Sequence, residues 1–177
     1  SGKNGIDLAL KKINEKGVLG GKKLSLVVAD TKSEASEATN GMQKLISQDK
    51  VVAVIGPNQS SAVIASGAIN NGAKVVDITP MGTNPDVTVD PKTKQVKPYS
   101  FRTCFIDPFQ GTVMANYAFK QGAKKVAIVQ EVSNDYAVGL AKFFKEAFIK
   151  LTGDENSIVE IANYQTGDKD FSAILTN

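Results

Sequence analysis

Short apolar runs alternate with amphipathic stretches along this whole chain. Strand–helix–strand units at that spacing dictate an α/β fold with doubly wound parallel sheets. The first amphipathic stretch, Gly5 to Lys16, sets Ile6, Leu10 and Ile13 on one helical face. Gly17 and the Gly20-Gly21 pair end it. Leu24 to Ala29 reads as a strand finishing at Asp30, and Ser33 or Ser36 caps the helix that follows, with Ala38, Met42, Leu45 and Ile46 inward. Val51 to Ile55 is almost wholly β-branched, as suits a parallel strand covered on both faces. A helix of small residues, Ala62 to Asn71, and a strand, Lys74 to Ile78, come next.

Asp86 to Pro98 breaks the rhythm. It holds Pro91, Pro98 and three lysines, and reads as an exposed loop or ragged hairpin. Tyr99 to Phe105 is strand-like. The alternation then resumes: a helix from Pro108 to Lys120, a strand over Lys125 to Gln130, a helix over Tyr136 to Leu151, a strand over Ile158 to Tyr164, and a helix from Asp170 onward. Pro108 suits a first helical turn, where a missing N–H costs nothing. The break implies two sheets in two lobes, 1–99 and 100–177.

Composition narrows the chemistry. At 177 residues, with 42% hydrophobic and 22% charged residues, the chain has the makings of a packed core and is not a disordered segment. Histidine is absent and Cys104 is the lone cysteine, so His-based triads, His-ligated zinc and an internal disulfide are excluded. The sequence implies no cofactor and no metal site. The net charge of +3 comes from scattered lysines with Arg102 as the one arginine, which argues against nucleic-acid binding. Neither a phosphate-binding G-x-x-x-x-G-K-[ST] nor a G-x-G-x-x-G nor a G-x-S-x-G elbow is present.

Open parallel sheets bind ligands beyond the carboxyl ends of their strands. Two such ends stand out. Gly56-Pro57-Asn58-Gln59-Ser60-Ser61 delivers a turn, then hydroxyls, then the free N–H groups of a helix start, a setting that favours a carboxylate or phosphate. Thr79-Pro80-Met81-Gly82-Thr83-Asn84 adds a second hydroxyl and more backbone donors. Each residue also has a plain structural role open to it. Ser60 can be an N-cap, Thr83 can close a turn, Tyr136 can pack at a helix start, and Asp30 can bond the loop after it. Cys104 fits as a small buried hydrophobe, and Arg102 as a tie between domains.

An ordered set of segments then carries a resemblance. These are Gly5-Ile6-Asp7-Leu8-Ala9 through Gly20-Gly21, Leu24 to Asp30, Val54-Ile55-Gly56-Pro57 with Ser60, Ile78-Thr79-Pro80 through Thr83-Asn84-Pro85, Tyr99 to Thr103, Asp107-Pro108-Phe109-Gln110-Gly111, Lys125 to Val129, Asp135-Tyr136 with Gly139-Leu140, and Gly167 to Ser172. Together they resemble the type I periplasmic solute-binding proteins, specifically the branched-chain amino acid (Leu/Ile/Val) receptors of ABC transporters. The resemblance implies a two-lobed fold that closes on an amino acid or small amide, and no enzymatic activity. It places Ser60 on the ligand carboxylate, Met81, Gly82 and Thr83 on the remaining carboxylate and ammonium contacts, and Tyr136 against the ligand from the second lobe. Met81-Gly82 departs from the small-residue pair common in amino-acid receptors. The family is about twice as long, so the resemblance also implies an incomplete fold, lacking a first strand before Ser1 and the remainder of the second lobe after Asn177.

The implied partners are an amino-acid ligand and a membrane permease, and the implied location is periplasmic or extracellular, with or without a lipid anchor. An open sheet edge further implies a dimer or a domain swap. The alternative is a ligand-sensing domain of a receptor or regulator with the same fold.

Overall fold

The computed structural model of the chain describes residues 2–17 and 20–176, so Ser1 and Asn177, the outer ends of the two expected lobes, lie outside the described residues. The elements run α1 (Gly2–Lys16), α2 (Ala35–Ser47), β1 (Ala53–Ile55), α3 (Ser60–Ala73), β2 (Val76–Thr79), β3 (Ser100–Arg102), α4 (Asp107–Lys120), β4 (Val126–Glu131), α5 (Asp135–Thr152), β5 (Ile158–Tyr164) and α6 (Ser172–Leu175). Two parallel sheets result, one of order β1-β2-β3 and one of β4-β5. This is the expected α/β architecture.

In the first sheet Val54, Asp77 and Ser100 stand in one row. α2 and α3 pack together, and α3 also meets β2. Ala38, Met42, Ala62 and Val63 are buried from those helices, with Val54 from β1. Segment 88–97 is the expected ragged hairpin, closed by a single antiparallel bridge between Val89 and Val96. β3 hands the chain directly to α4, which packs along α5, while α5 covers β4. Phe148 of α5 is fully buried and stacks on Phe144 one turn away, with ring centroids 5.6 Å apart.

Glycine decides how closely α4 and α5 approach. A Cβ at Gly111 would lie 2.7 Å from the Phe144 backbone nitrogen and 2.8 Å from Phe143. At the far end, Gly153 takes a φ of 69° and closes α5 with a bond from its N–H to Ile149 C=O.

Four expectations need correction. Leu24 to Ala29 is not a strand; it has no ladder partner among the described residues, and Leu26, Val27 and Val28 are exposed. A strand is defined by its neighbour, and apolar pattern alone cannot supply one. The segment is held instead by Asn14, whose side chain accepts from Leu24 N–H at 2.8 Å and donates to Leu24 C=O at 2.9 Å. Second, β1 is covered on one face only: Val54 is buried while Ala53 and Ile55, which point the other way, are exposed. Third, neither Ser33 nor Ser36 caps α2. Glu34 is the N-cap, without a side-chain bond, because Ser33 sits at a φ of 63° and Ser36 lies inside the first turn. Fourth, the last helix does not start at Asp170: it is a single turn from Ser172 with Phe171 as N-cap, and Asp170 precedes it, accepting from the N–H and hydroxyl of Ser172.

The middle strand of the first sheet buries a carboxyl group without a partner. Asp77 is 1% exposed, in the middle strand, and neither carboxylate oxygen has a hydrogen bond. Burial pushes its pKa up from 3.8 to about 7. The folded protein therefore keeps the proton to a higher pH than the unfolded chain does. Stability contributed by the protonated form is complete below pH 4 and is lost as pH rises toward 7.

Chemical denaturation from pH 4 to 8 therefore shows stability falling across that window by up to ~4 kcal/mol, and Asp77→Val flattens the profile and is more stable than the parent at pH 8. Gly111→Ala, read by thermal melting at one pH, costs about 1–3 kcal/mol, because backbone on the facing helix must move.

Candidate functional site

The loops after β1 and β2 lie side by side at the carboxyl ends of the first sheet, and one side chain joins them. Thr79, fully buried at the end of β2, donates its hydroxyl to Pro57 C=O at 2.6 Å and accepts from Gly82 N–H at 3.0 Å and Met81 N–H at 3.4 Å. A Cβ at Gly82 would come within 2.9 Å of Thr79 Cγ2 and 3.3 Å of Val87, so the loop folds this tightly only on glycine. Arg102 braces the outside of the same loop. Its guanidinium donates to Gly82 C=O at 2.8 Å, to Pro85 C=O at 3.3 Å and to Thr88 Oγ1 at 2.9 Å.

Ser60 opens α3, but as a first-turn residue and not as the cap. The N-cap is Gln59, whose side chain makes no capping bond. The first N–H groups of a helix have no intrahelical partner, so this terminus keeps its donors and its positive end. Ser60 is 2% exposed, and its Oγ accepts from Asn84 N–H at 3.2 Å. With that lone pair engaged, the hydroxyl proton remains to be donated.

Thr83 closes no turn. It is 7% exposed, and its hydroxyl has no hydrogen-bond partner. Beside it lies Asp107, fully buried at the start of α4, with both carboxylate oxygens also unpaired. Burial raises the Asp107 pKa, and the Thr83 hydroxyl, near enough to act on the carboxyl without meeting the geometry of a hydrogen bond, and Arg102 pull it partly back. Desolvation in the same place lowers the Arg102 pKa. Met81 is the exposed member of the group, 60% open to solvent.

The second body enters through the N-terminus of α5. Asn134 caps it, accepting from Tyr136 N–H. Tyr136 is half-buried, and its hydroxyl accepts from Gln110 Nε2 at 2.9 Å, which fixes the ring from α4. Asp135 reaches the first body directly: its N–H donates to Ser61 Oγ at 3.0 Å, and its C=O accepts from Asn84 Nδ2 at 2.8 Å.

The structure thus brings Ser60, Gly82 and Thr83 into one cluster, with Met81 on its open side and Tyr136 on the helix that docks against it. Gly82 offers no free backbone group, since Thr79 and Arg102 take both of its polar atoms. A hollow of about 290 Å³ under α5 has Tyr136, Met114, Leu140 and Tyr164 in its wall, but neither Ser60 nor Thr83. Arg102 is a tie, as expected, and its ties run to the 82–88 loop. Asp30 bonds the loop after it through Lys32 N–H. Cys104 is half-buried. Ser61 and Asn84 lie in the two loops singled out in the sequence, but they, like Asp107 and Asp135, were given no role of their own in the site. Asn84-Pro85 reads as an ordinary turn start, and nothing local shows that its amide reaches a helix 51 residues away.

Comparison with known proteins gives a consistent picture. A family model described as periplasmic binding protein matches residues 1–177. The Leu/Ile/Val-binding protein BraC3 of Rhizobium johnstonii is 34% identical over 98% of this chain and 45% of its own length. Among solved structures, a leucine-binding protein LivK from Thermotoga maritima is 40% identical, with a TM-score of 0.79 over 93% of this chain and 44% of its own. The branched-chain amino acid transporter substrate-binding protein LivJ from Streptococcus pneumoniae, in complex with isoleucine, is 38% identical, with a TM-score of 0.83 over 98% of this chain and 47% of its own. The chain spans under half the length of these relatives.

Proposed function

The chain belongs to the periplasmic binding protein family, and from that premise we propose that it forms part of an extracytoplasmic receptor that binds an amino acid between two lobes and passes it to the membrane permease of an ABC transporter. The observation that carries the ligand class is the buried, partnerless hydroxyl of Thr83 beside the open N-terminus of α3. A carboxylate is the group such a pair of features accommodates: the helix end supplies N–H donors and positive potential, and Ser60 and Thr83 supply hydroxyls.

Isoleucine in the LivJ complex and the names of the Leu/Ile/Val-binding relatives favour a branched-chain or similar small amino acid. In this reading Ser60 holds the carboxylate, and Thr83 with the backbone of Met81 shares the carboxylate and ammonium. Gly82 shapes the loop, and Tyr136 lies against the ligand from the second lobe. The lobes of this reading divide after β3, which pairs with β2 in the first sheet, so the boundary expected between 99 and 100 falls a few residues early and the lobes join where β3 passes into α4. Binding and release suffice for this function, and no cofactor takes part. Among the described residues no helix is long and apolar enough to cross a membrane, and no three His, Cys, Asp or Glu side chains cluster as metal ligands.

A second copy of the chain is the further partner this reading supplies. β1 ends the first sheet with Val52 and Ile55 exposed beside an unpaired edge, and such an edge pairs readily with another strand.

Titration calorimetry with leucine and isoleucine tests the ligand. Binding is expected, weakened by about tenfold to a hundredfold in Ser60→Ala and in Thr83→Ala, as for the loss of a hydrogen bond to a charged group; an unbound wild-type chain overturns the amino-acid reading. Light scattering over a concentration series tests the edge: a dimer that grows in with concentration is expected, and a monomer throughout rules it out.

A further inference from the structure

Two helix N-termini meet at the junction of the lobes, and Asn84 is the residue between them. Besides its C=O, which accepts from Val87 N–H, three polar groups of Asn84 each do a separate job. Its N–H donates to Ser60 Oγ at 3.2 Å, which fixes the hydroxyl at the start of α3. Its Oδ1 accepts from Asp86 N–H at 2.9 Å and caps the short 3₁₀ turn Pro85–Val87. Its Nδ2 donates to Asp135 C=O at 2.8 Å on the opposite lobe. The two side-chain bonds require opposite polarities, so the amide has one workable orientation. Ser61, beside Ser60, completes the junction by accepting from Asp135 N–H at 3.0 Å.

The fit is close as well as polar. Asn84 is 8% exposed, and a Cβ at Gly139, one turn into α5, would lie 2.8 Å from Asn84 Nδ2 and 3.5 Å from Asp107 Oδ2. α5 can approach this near only because position 139 is bare. The helix seated on Asn84 is the one that carries Tyr136.

We propose that Asn84 is a positioning residue that latches the two lobes and sets the distance between the Ser60 hydroxyl and the Tyr136 ring, so that ligand affinity depends on the Asn84–Asp135 bond. The effect on ligand rests on the amino-acid reading above; the latch does not. Ser60 and Tyr136 touch the ligand in that reading, and Asn84 acts through both. Breaking the bond leaves each half-site intact and lets their separation vary, which lowers affinity by reducing the fraction of molecules whose lobes are correctly spaced.

Asn84→Asp is the discriminating variant. It keeps the shape and the cap on Asp86 N–H, and it turns the donor facing Asp135 C=O into an acceptor. Spin labels on cysteines replacing Gln43 and Lys145, both exposed helical positions on opposite lobes, report the interlobe distance in a Cys104→Ser background. The unsubstituted latch is expected to give one narrow distance, and Asn84→Asp a longer and broader distribution, with leucine affinity lowered about tenfold and the circular dichroism spectrum unchanged. Ser61→Ala, which removes the other bond to Asp135, repeats the test should Asn84→Asp fold poorly.

Equal distance distributions with and without the latch overturn it. A variant with opened lobes and unchanged leucine affinity overturns the positioning role. A wild-type chain that binds no leucine defeats the amino-acid reading and with it the ligand coupling, while the distance measurement still decides the latch.

Discussion

The buried hydroxyl of Thr79 is the contact on which the candidate site depends. It donates to the loop after β1 through Pro57 C=O and accepts from the loop after β2 through Gly82 N–H. Those loops carry Ser60 and Thr83. In a parallel sheet, neighbouring strand ends lie close by construction, but the loops beyond them are free to diverge. Thr79 removes that freedom, and it can do so because β2 is the middle strand of its sheet, flanked by both neighbours. Arg102, from the third strand, then fixes Gly82 C=O from outside. All three strands of the first sheet thus converge on one six-residue loop, and the position of the Thr83 hydroxyl follows from the sheet.

What was legible in the sequence tracks how local each signal is. β5 falls where its short run between two helical stretches placed it, and α4 and α5 lie within a residue of their expected bounds, because amphipathic period and Pro108 act within a turn or two. Leu24 to Ala29 has the same apolar character and forms no strand, since pairing is decided by a neighbour the segment does not encode. Helix caps failed for a related reason. Ser33 and Ser36 have the right chemistry for α2, but the backbone enters the helix between them, at Glu34.

The site divides along the same line. Ser60 and Thr83 were visible as hydroxyls at strand ends, and both lie where that reasoning put them. Their partners were not visible. Ser60 receives a bond from a residue 24 positions later, and Ser61 receives one from 74 positions later. Gly139 gives no hint in sequence that it is bare to admit Asn84. Long-range polar pairing is a property of the assembled fold, so the residues that join α5 to the loops of the first sheet emerge only once both are in place.

The buried groups left unpaired give this junction its chemical character. Folding normally satisfies buried polar atoms, and each one left over costs roughly 1–3 kcal/mol. Thr83 and Asp107 leave three such atoms together where the loop after β2 meets the start of α4. A well-packed structural joint would pair them or replace them with apolar side chains. In the amino-acid reading proposed above, their persistence beside an uncapped helix start suits a site that gains hydrogen bonds when a charged partner arrives, because the desolvation has already been borne in folding. Asp77 shows the contrast. It is equally buried and equally unpaired, yet it sits within a strand in a row with Val54 and Ser100, and the hydroxyl in that row, of Ser100, is already engaged by Asn70 and Asn71. The same orphaned chemistry therefore reads as a cost to stability in the sheet, and as capacity to bind at the junction.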